Sequence, residues 1–193
     1  MLRTFFLALL LTGNFFSLAQ LYGEIGVSVP DSKLEILAET GVTIGVNYEH
    51  KLGHWFKARL STAYVHFGSK HYPPYSPVGL PVSVDFKTSM LPFQIGIKFF
   101  PFPKFLAGKL FIGGKLGVQA IFFESHSITN FESIFYKSKE LDFSYVPSVG
   151  IDLNGACFEF EQQFIASNGN QRIKSVSYAN FKLSVKIFKC RFK

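Results

Sequence analysis

The sequence predicts an all-β fold, a closed up-and-down antiparallel barrel of about eight transmembrane strands, with ten as the alternative if part of a long loop pairs. Three observations carry this. Eight segments alternate apolar and polar residues with period two. Their apolar faces hold no charged side chain. Beyond the N-terminus no run approaches the roughly 18 apolar residues of a spanning helix. Helices and closed barrels are the structures that satisfy every backbone N–H and C=O in hydrocarbon, so a membrane reading of this chain requires a barrel.

The 193 residues fit one domain. Aromatic content is high, with 24 Phe and 8 Tyr, and charge is low at 17%. Mean hydropathy is +0.21. Met1–Arg3 gives a positive start, Thr4–Leu11 an apolar core, and Ser17-Leu18-Ala19 small residues before Gln20. That layout predicts a cleaved secretory signal peptide over residues 1–19 and a barrel domain over 20–193. Loss of the leader removes Arg3 and no acid, leaving 19 basic and 13 acidic residues, a net +6. The lysines are dispersed and form no patch, so nucleic acid is not an expected partner.

The strands follow in order. Ile25, Val27 and Val29 oppose Glu24, Gly26 and Ser28. Val42, Ile44, Val46 and Tyr48 oppose Thr43, Gly45, Asn47 and Glu49. Phe56, Ala58, Leu60, Thr62 and Tyr64 oppose Lys57, Arg59 and Ser61. Leu91, Phe93, Ile95, Ile97 and Phe99 oppose Gln94, Gly96 and Lys98. In the fifth strand Leu110, Ile112, Leu116 and Val118 oppose Gly113, Lys115, Gly117 and Gln119. The sixth sets Leu141, Phe143, Tyr145, Val149 and Ile151 against Asp142, Ser144, Ser148, Gly150 and Asp152. Phe158, Phe160 and Phe164 then oppose Glu159, Glu161 and Gln163. Last, Phe181, Leu183, Val185 and Ile187 oppose Lys182, Ser184 and Lys186.

The polar faces carry Lys57, Arg59, Lys98, Lys115, Lys182 and Lys186 against Glu24, Glu49, Asp142, Asp152, Glu159 and Glu161, six charges of each sign. A lipid-facing Lys or Arg near the bilayer midplane costs roughly 2–4 kcal/mol, so a charge-free outer face is expected. The balanced charges are then expected to pair as an ion network inside a filled lumen. Val82, Val84 and Phe86 fall out of phase with Leu91–Phe99. That predicts a β-bulge near Ser89–Met90, or a strand projecting beyond the bilayer.

Linkers alternate in length. Pro30–Thr40, Ser69–Pro81, Ser125–Lys139 and Asn168–Lys174 are the longer ones, and His50–His54, Phe100–Lys104 and Asn154–Gly155 are short. Membrane barrels have short periplasmic turns and longer outer loops. Tyr22, Tyr48, Trp55, Tyr64, Phe99, Phe100, Phe102, Phe122 and Phe123 lie near strand ends, where girdles at the membrane interfaces would place them.

Thr88-Ser89-Met90-Leu91-Pro92-Phe93-Gln94-Ile95-Gly96-Ile97-Lys98-Phe99-Phe100 resembles the PorT-like outer-membrane barrel families. Leu110-Phe111-Ile112-Gly113-Gly114-Lys115-Leu116-Gly117 is similar to their next, glycine-bearing strand, and the general architecture is OmpA/OmpX-like. The resemblance implies a bacterial outer-membrane location, contact with outer-membrane lipid and lipopolysaccharide, and insertion by the barrel-assembly machinery. Here Phe192 is penultimate, followed by Lys193, a departure from the terminal aromatic of many such barrels.

Sites of chemistry are few. Ala166-Ser167-Asn168-Gly169 is similar to the His-x-Ser-Asn segment of lipid A deacylase barrels, but Ile165 stands where their base would be. His50 and His54 share a metal only if their turn folds back, and solvated turn residues are the stronger reading. Cys157 and Cys190 lie at the same end of neighbouring strands and are open between a cross-strand disulfide and two free thiols, with free thiols the default. No enzyme activity and no cofactor is expected. The loops Lys70–Pro77 and Ile128–Lys139 are the candidate surfaces for a ligand or protein partner. The rival reading is a secreted lipocalin-like lipid carrier. Its alternation is inverted, with Phe and Leu inside and charges wetted, and periodicity alone does not separate the two.

Overall fold

A computed structural model describes residues 19–31, 33–72, 83–105, 108–128, 133–166 and 175–190. The signal-peptide reading falls outside them, except that Ala19 opens the first strand. Eight antiparallel strands close into one barrel in sequence order. They are β1 (Ala19–Asp31), β2 (Ala38–Lys51), β3 (Phe56–Tyr72), β4 (Ser83–Phe105), β5 (Gly108–Ile128), β6 (Ser133–Asp152), β7 (Ala156–Ala166) and β8 (Ser175–Cys190). A short helix, α1 (Lys33–Leu37), joins β1 to β2. The ring closes through the β1–β8 ladder, from Ala19 opposite Cys190 to Asp31 opposite Ser177.

Sidedness is that of a membrane barrel. Ile25, Ile44, Ile95, Leu116, Phe158 and Phe181 are exposed on the exterior, each by more than half of its surface. Glu24, Glu49, Arg59, Lys98, Lys115, Glu159, Glu161 and Lys182 are buried inside. A lipocalin-like carrier needs the opposite arrangement, and Phe158 outside beside Glu159 inside decides against it. Room for the interior side chains comes partly from glycine. The Phe111 ring packs against Gly150, where an added Cβ would meet the ring at 2.5 Å.

Two apolar clusters cap the lumen. At the end bearing α1, Leu34 of the helix joins Ala38, Val65, Phe67, Met90, Ile165 and Tyr178. At the opposite end Phe100 and Phe111 pack with Cys157, the rings 5.7 Å apart. Tyr22 and Phe100 are thus interior residues and not part of an interfacial girdle. Tyr48, Trp55, Tyr64, Phe99 and Phe102 do face outward, with Trp55 stacked on Phe99 at 6.3 Å.

Strand length separates two regions. A tilted strand crosses the hydrocarbon core in about 9–11 residues. β7 has 11 residues, whereas β4, β5 and β6 have 23, 21 and 20. The excess forms a projecting ribbon. The expected linker Ser125–Lys139 is mostly this ribbon, because β5 pairs with β6 without interruption out to Ile128 opposite Ser133. The extra length goes into longer strands, so the count stays at eight.

Of the two origins expected for the irregularity near Ser89, a bulge on the fourth strand or a projecting strand, the structure shows the second. β4 keeps an unbroken register with β5 from Ser83–Ile128 to Phe99–Ile112. The register shift lies against β3, between His66 and Lys70. β4 therefore continues straight out of the membrane, and Val84 and Phe86 stay on the same face as Met90, Gln94 and Lys98.

Candidate functional site: the filled lumen and the projecting ribbon

Period two places alternate residues of every strand inside the barrel, and each of the eight strands contributes a charge there. Arg59 of β3 occupies the middle. Its Nη1 and Nη2 each donate to a Glu159 oxygen at 2.5 Å, and Nη2 also donates to Glu24 at 3.1 Å. Glu161 lies 3.7 Å from Nη1. Lys182 joins Glu24 at 3.4 Å and Glu161 at 2.9 Å, and Lys115 meets Glu161 at 2.6 Å. Toward the Phe100–Phe111 end, Lys98 contacts Glu49 at 2.5 Å and Glu159 at 3.9 Å. Lys57 then links Glu49 at 3.0 Å to Asp152 at 2.6 Å. One connected chain runs from Asp152 to Lys115.

Two of the residues expected in this network lie apart from it. Lys186 donates to the Asn154 carbonyl at 3.2 Å and sits over the Tyr22 ring at 5.9 Å. Asp142 is buried, and among the described residues no cation reaches it. Uncharged layers complete the filling. Ser28 donates to Asn180 Oδ1 at 2.5 Å and Thr43 to the same oxygen at 3.2 Å. Gln163 donates to Gln119, and Gln94 to Ser144 at 3.3 Å. Asn180 shares the inward face of Lys182, two positions on, but it lies just ahead of Phe181, the first of the apolar residues that mark the alternation.

The Cys157 thiol is free. It aligns with Ser184, six positions along β8 from Cys190. Six residues of strand span about 20 Å, whereas a disulfide needs Cα atoms within about 7 Å, so the ladder keeps these two cysteines apart. Lys98 Nζ lies 3.5 Å from the Cys157 sulfur and 4.3 Å from the Phe111 ring centroid. Ser167 lies outside the described residues, and Ile165 points into the apolar cap. His54 is exposed in the turn after β2, and the described residues include no convergent group of three metal donors.

Beyond Ser89 charged residues appear on the outer wall. The outward face carries Lys87, Asp85, Glu124, Lys137 and Lys139. Lys137 pairs with Glu124 at 2.7 Å and lies over the Phe135 ring at 5.1 Å, and Lys139 lies over Phe122 at 5.4 Å. The Lys137 ammonium, hydrogen-bonded to Glu124, holds that carboxyl below the usual carboxylate range. The inward face of the ribbon mixes Val84, Phe86, Ile121, Phe123, Ile134 and Tyr136 with Ser125, Ser127, Ser138 and Glu140. Phe86 and Phe123 are in ring contact at 5.6 Å, while Ile134 and Tyr136 are exposed. The described part of the Lys70–Pro77 segment is tied down where Lys70 donates to the Glu35 carbonyl at 2.5 Å, and residues 73–82 lie outside the description.

No family model matches the chain, and no curated protein matches it. Solved structures do. The attachment invasion locus protein Ail of Yersinia pestis superposes with TM-score 0.50 at 11% identity, covering 88% of this chain and 97% of its own. Neisserial surface protein A gives 0.39 at 7% identity over 90% and 97%. CarO of Acinetobacter baumannii gives 0.38 at 8% identity over 85% and 97%. At such identities the likeness to Ail establishes the fold, a small eight-stranded membrane barrel.

Proposed function

We propose that this chain is an exported outer-membrane barrel whose lumen conducts nothing and whose ribbon presents a surface to partners outside the cell. The carrying observation is the change of the outward face from apolar to charged at one level of the barrel. Within the span, charges lie inside and apolar residues outside, while above Ser89 the outward face carries Asp85, Lys87, Glu124 and Lys137. A membrane boundary at that level explains the change.

An eight-stranded barrel is just wide enough for side chains to fill. Here the filling is an ion network with an apolar cap at each end. Solvent has no continuous path through such an interior. The finer parts of the reading follow from placement. Residues 1–19 act as the signal peptide. Lys87, Lys137 and Lys139 stand where the phosphates of lipopolysaccharide would meet the barrel wall. The assembly machinery inserts the chain, and a surface ligand or protein partner approaches the ribbon. Catalysis forms no part of this role.

The test joins two measurements on the same preparation. The protein is expected in the outer-membrane fraction, with migration on gels that changes on heating, and to give no large stable conductance steps in planar bilayers. Recovery in the soluble periplasm without detergent would overturn the location. Sustained conductance would overturn the closed lumen.

A further inference from the structure

On the outward face of the ribbon, three chemically matched side chains share one row. His71 of β3 is the ladder partner of Asp85 on β4, and Asp85 is the ladder partner of His126 on β5. Side chains directly opposite one another on a sheet face have Cβ atoms about 4.5–5.5 Å apart. The two histidine backbones are therefore about 10 Å apart, with the carboxylate between them. His71 Nδ1 already lies 2.7 Å from Asp85 Oδ1. The pair is well exposed, at 60% and 39%. His126 turns its Nε2 to Ser133 Oγ at 2.9 Å, so three donors do not converge as the side chains stand. Rotation of the His126 ring toward Asp85 gives up that hydrogen bond and the ring contact with Phe135 at 5.8 Å for a position over the carboxylate.

We propose that His71, Asp85 and His126 form a surface site for a divalent transition-metal ion, with zinc the natural occupant. Two imidazoles suit zinc, copper or nickel, whereas calcium and magnesium favour all-oxygen sets. His71 Nδ1 already faces Asp85 Oδ1, so an ion seated there takes the place of the proton shared between them. Asp85 and the two imidazoles are the three ligands. Three hydrogen-bonded strands hold the row, which lies beyond the apolar band and is open to ions from solution.

The experiment uses the full mature protein, purified without a histidine tag and refolded in detergent, with heat-modifiable migration checked for each variant. Zinc is titrated calorimetrically, and copper(II) is added for electron paramagnetic resonance. One zinc per chain is expected, with two nitrogen ligands in the copper spectrum. His71→Gln, His126→Gln and Asp85→Asn should each weaken zinc by at least about 10-fold, and Asp85→Asn should leave two nitrogens in the copper spectrum. His66→Gln, four residues along β4 from Asp85 through its partner Ser89, should change nothing. Absence of zinc binding, binding that survives the His71→Gln, His126→Gln double variant, or equal loss in His66→Gln would each overturn the site.

Discussion

Arg59 grips both carboxylate oxygens of Glu159 at 2.5 Å, and neither side chain meets solvent. The two residues come from β3 and β7, nearly opposite in the ring. A fork-to-fork pair across the lumen fixes how those strands face each other, because guanidinium and carboxylate match in only a few orientations.

Removing the guanidinium should therefore cost more than any exposed pair is worth. Arg59→Met leaves Glu24 and Glu159 without their central cation, and breaking a buried pair from one side costs about 3–5 kcal/mol. Urea unfolding of liposome-inserted protein, followed by the gel shift between folded and unfolded forms, is expected to show that loss. Adding Glu159→Gln to the same variant should recover part of it. A neutral Arg59→Met would mean that the network does not tie the barrel together.

Charge on the outer wall should be tolerated by height. Ile95→Lys places an ammonium in the apolar band and is expected to destabilise by roughly 2–4 kcal/mol. Phe135→Lys sits on the ribbon, where the cost falls to about 0–1 kcal/mol. The same unfolding assay compares them, and equal costs would contradict the boundary drawn at Ser89.

The ribbon also predicts a pH response. Lys137 holds the Glu124 carboxyl below its ordinary range, so this pair contributes to ribbon order above the unfolded carboxylate pKa. The contribution disappears as pH falls through the lowered, folded value. Carboxyl-resolved NMR titration should place the Glu124 midpoint under that of a free glutamate, and Lys137→Gln should return it upward. An unmoved midpoint in that variant would assign the shift to something else.

Much of this was legible in the chain itself. Charge-free apolar faces identify the lipid side, since a single misplaced lysine is so costly there, and they place Arg59, Lys98, Glu159 and Lys182 inside. The ribbon was harder to read. Val84 and Phe86 look out of phase only if β4 ends at the membrane. They are in phase with a strand whose surroundings change from lipid outside to water on both sides. Ser125–Lys139 reads as a loop because its two faces are both half-polar, and such a strand leaves no clean alternation. Tyr22 and Phe100 show the limit of composition, since an aromatic near a strand end serves a cap or a girdle equally well. Lys186 and Asp142 have the right face for the ion network, but their partners depend on height along the barrel, which a period of two does not encode. The separation of Cys157 from Cys190 is likewise a matter of register.

The most direct test is to read sidedness residue by residue. In a Cys157→Ser, Cys190→Ser background, nitroxide labels at Ile25, Ile44, Ile95, Leu116 and Phe158 of the bilayer-reconstituted protein are compared for collision with oxygen and with a water-soluble nickel chelate. Each label is expected to favour oxygen, as a side chain bathed in acyl chains does. Preferential collision with nickel at these positions would contradict the account, for it would mean that the uncharged wall faces water.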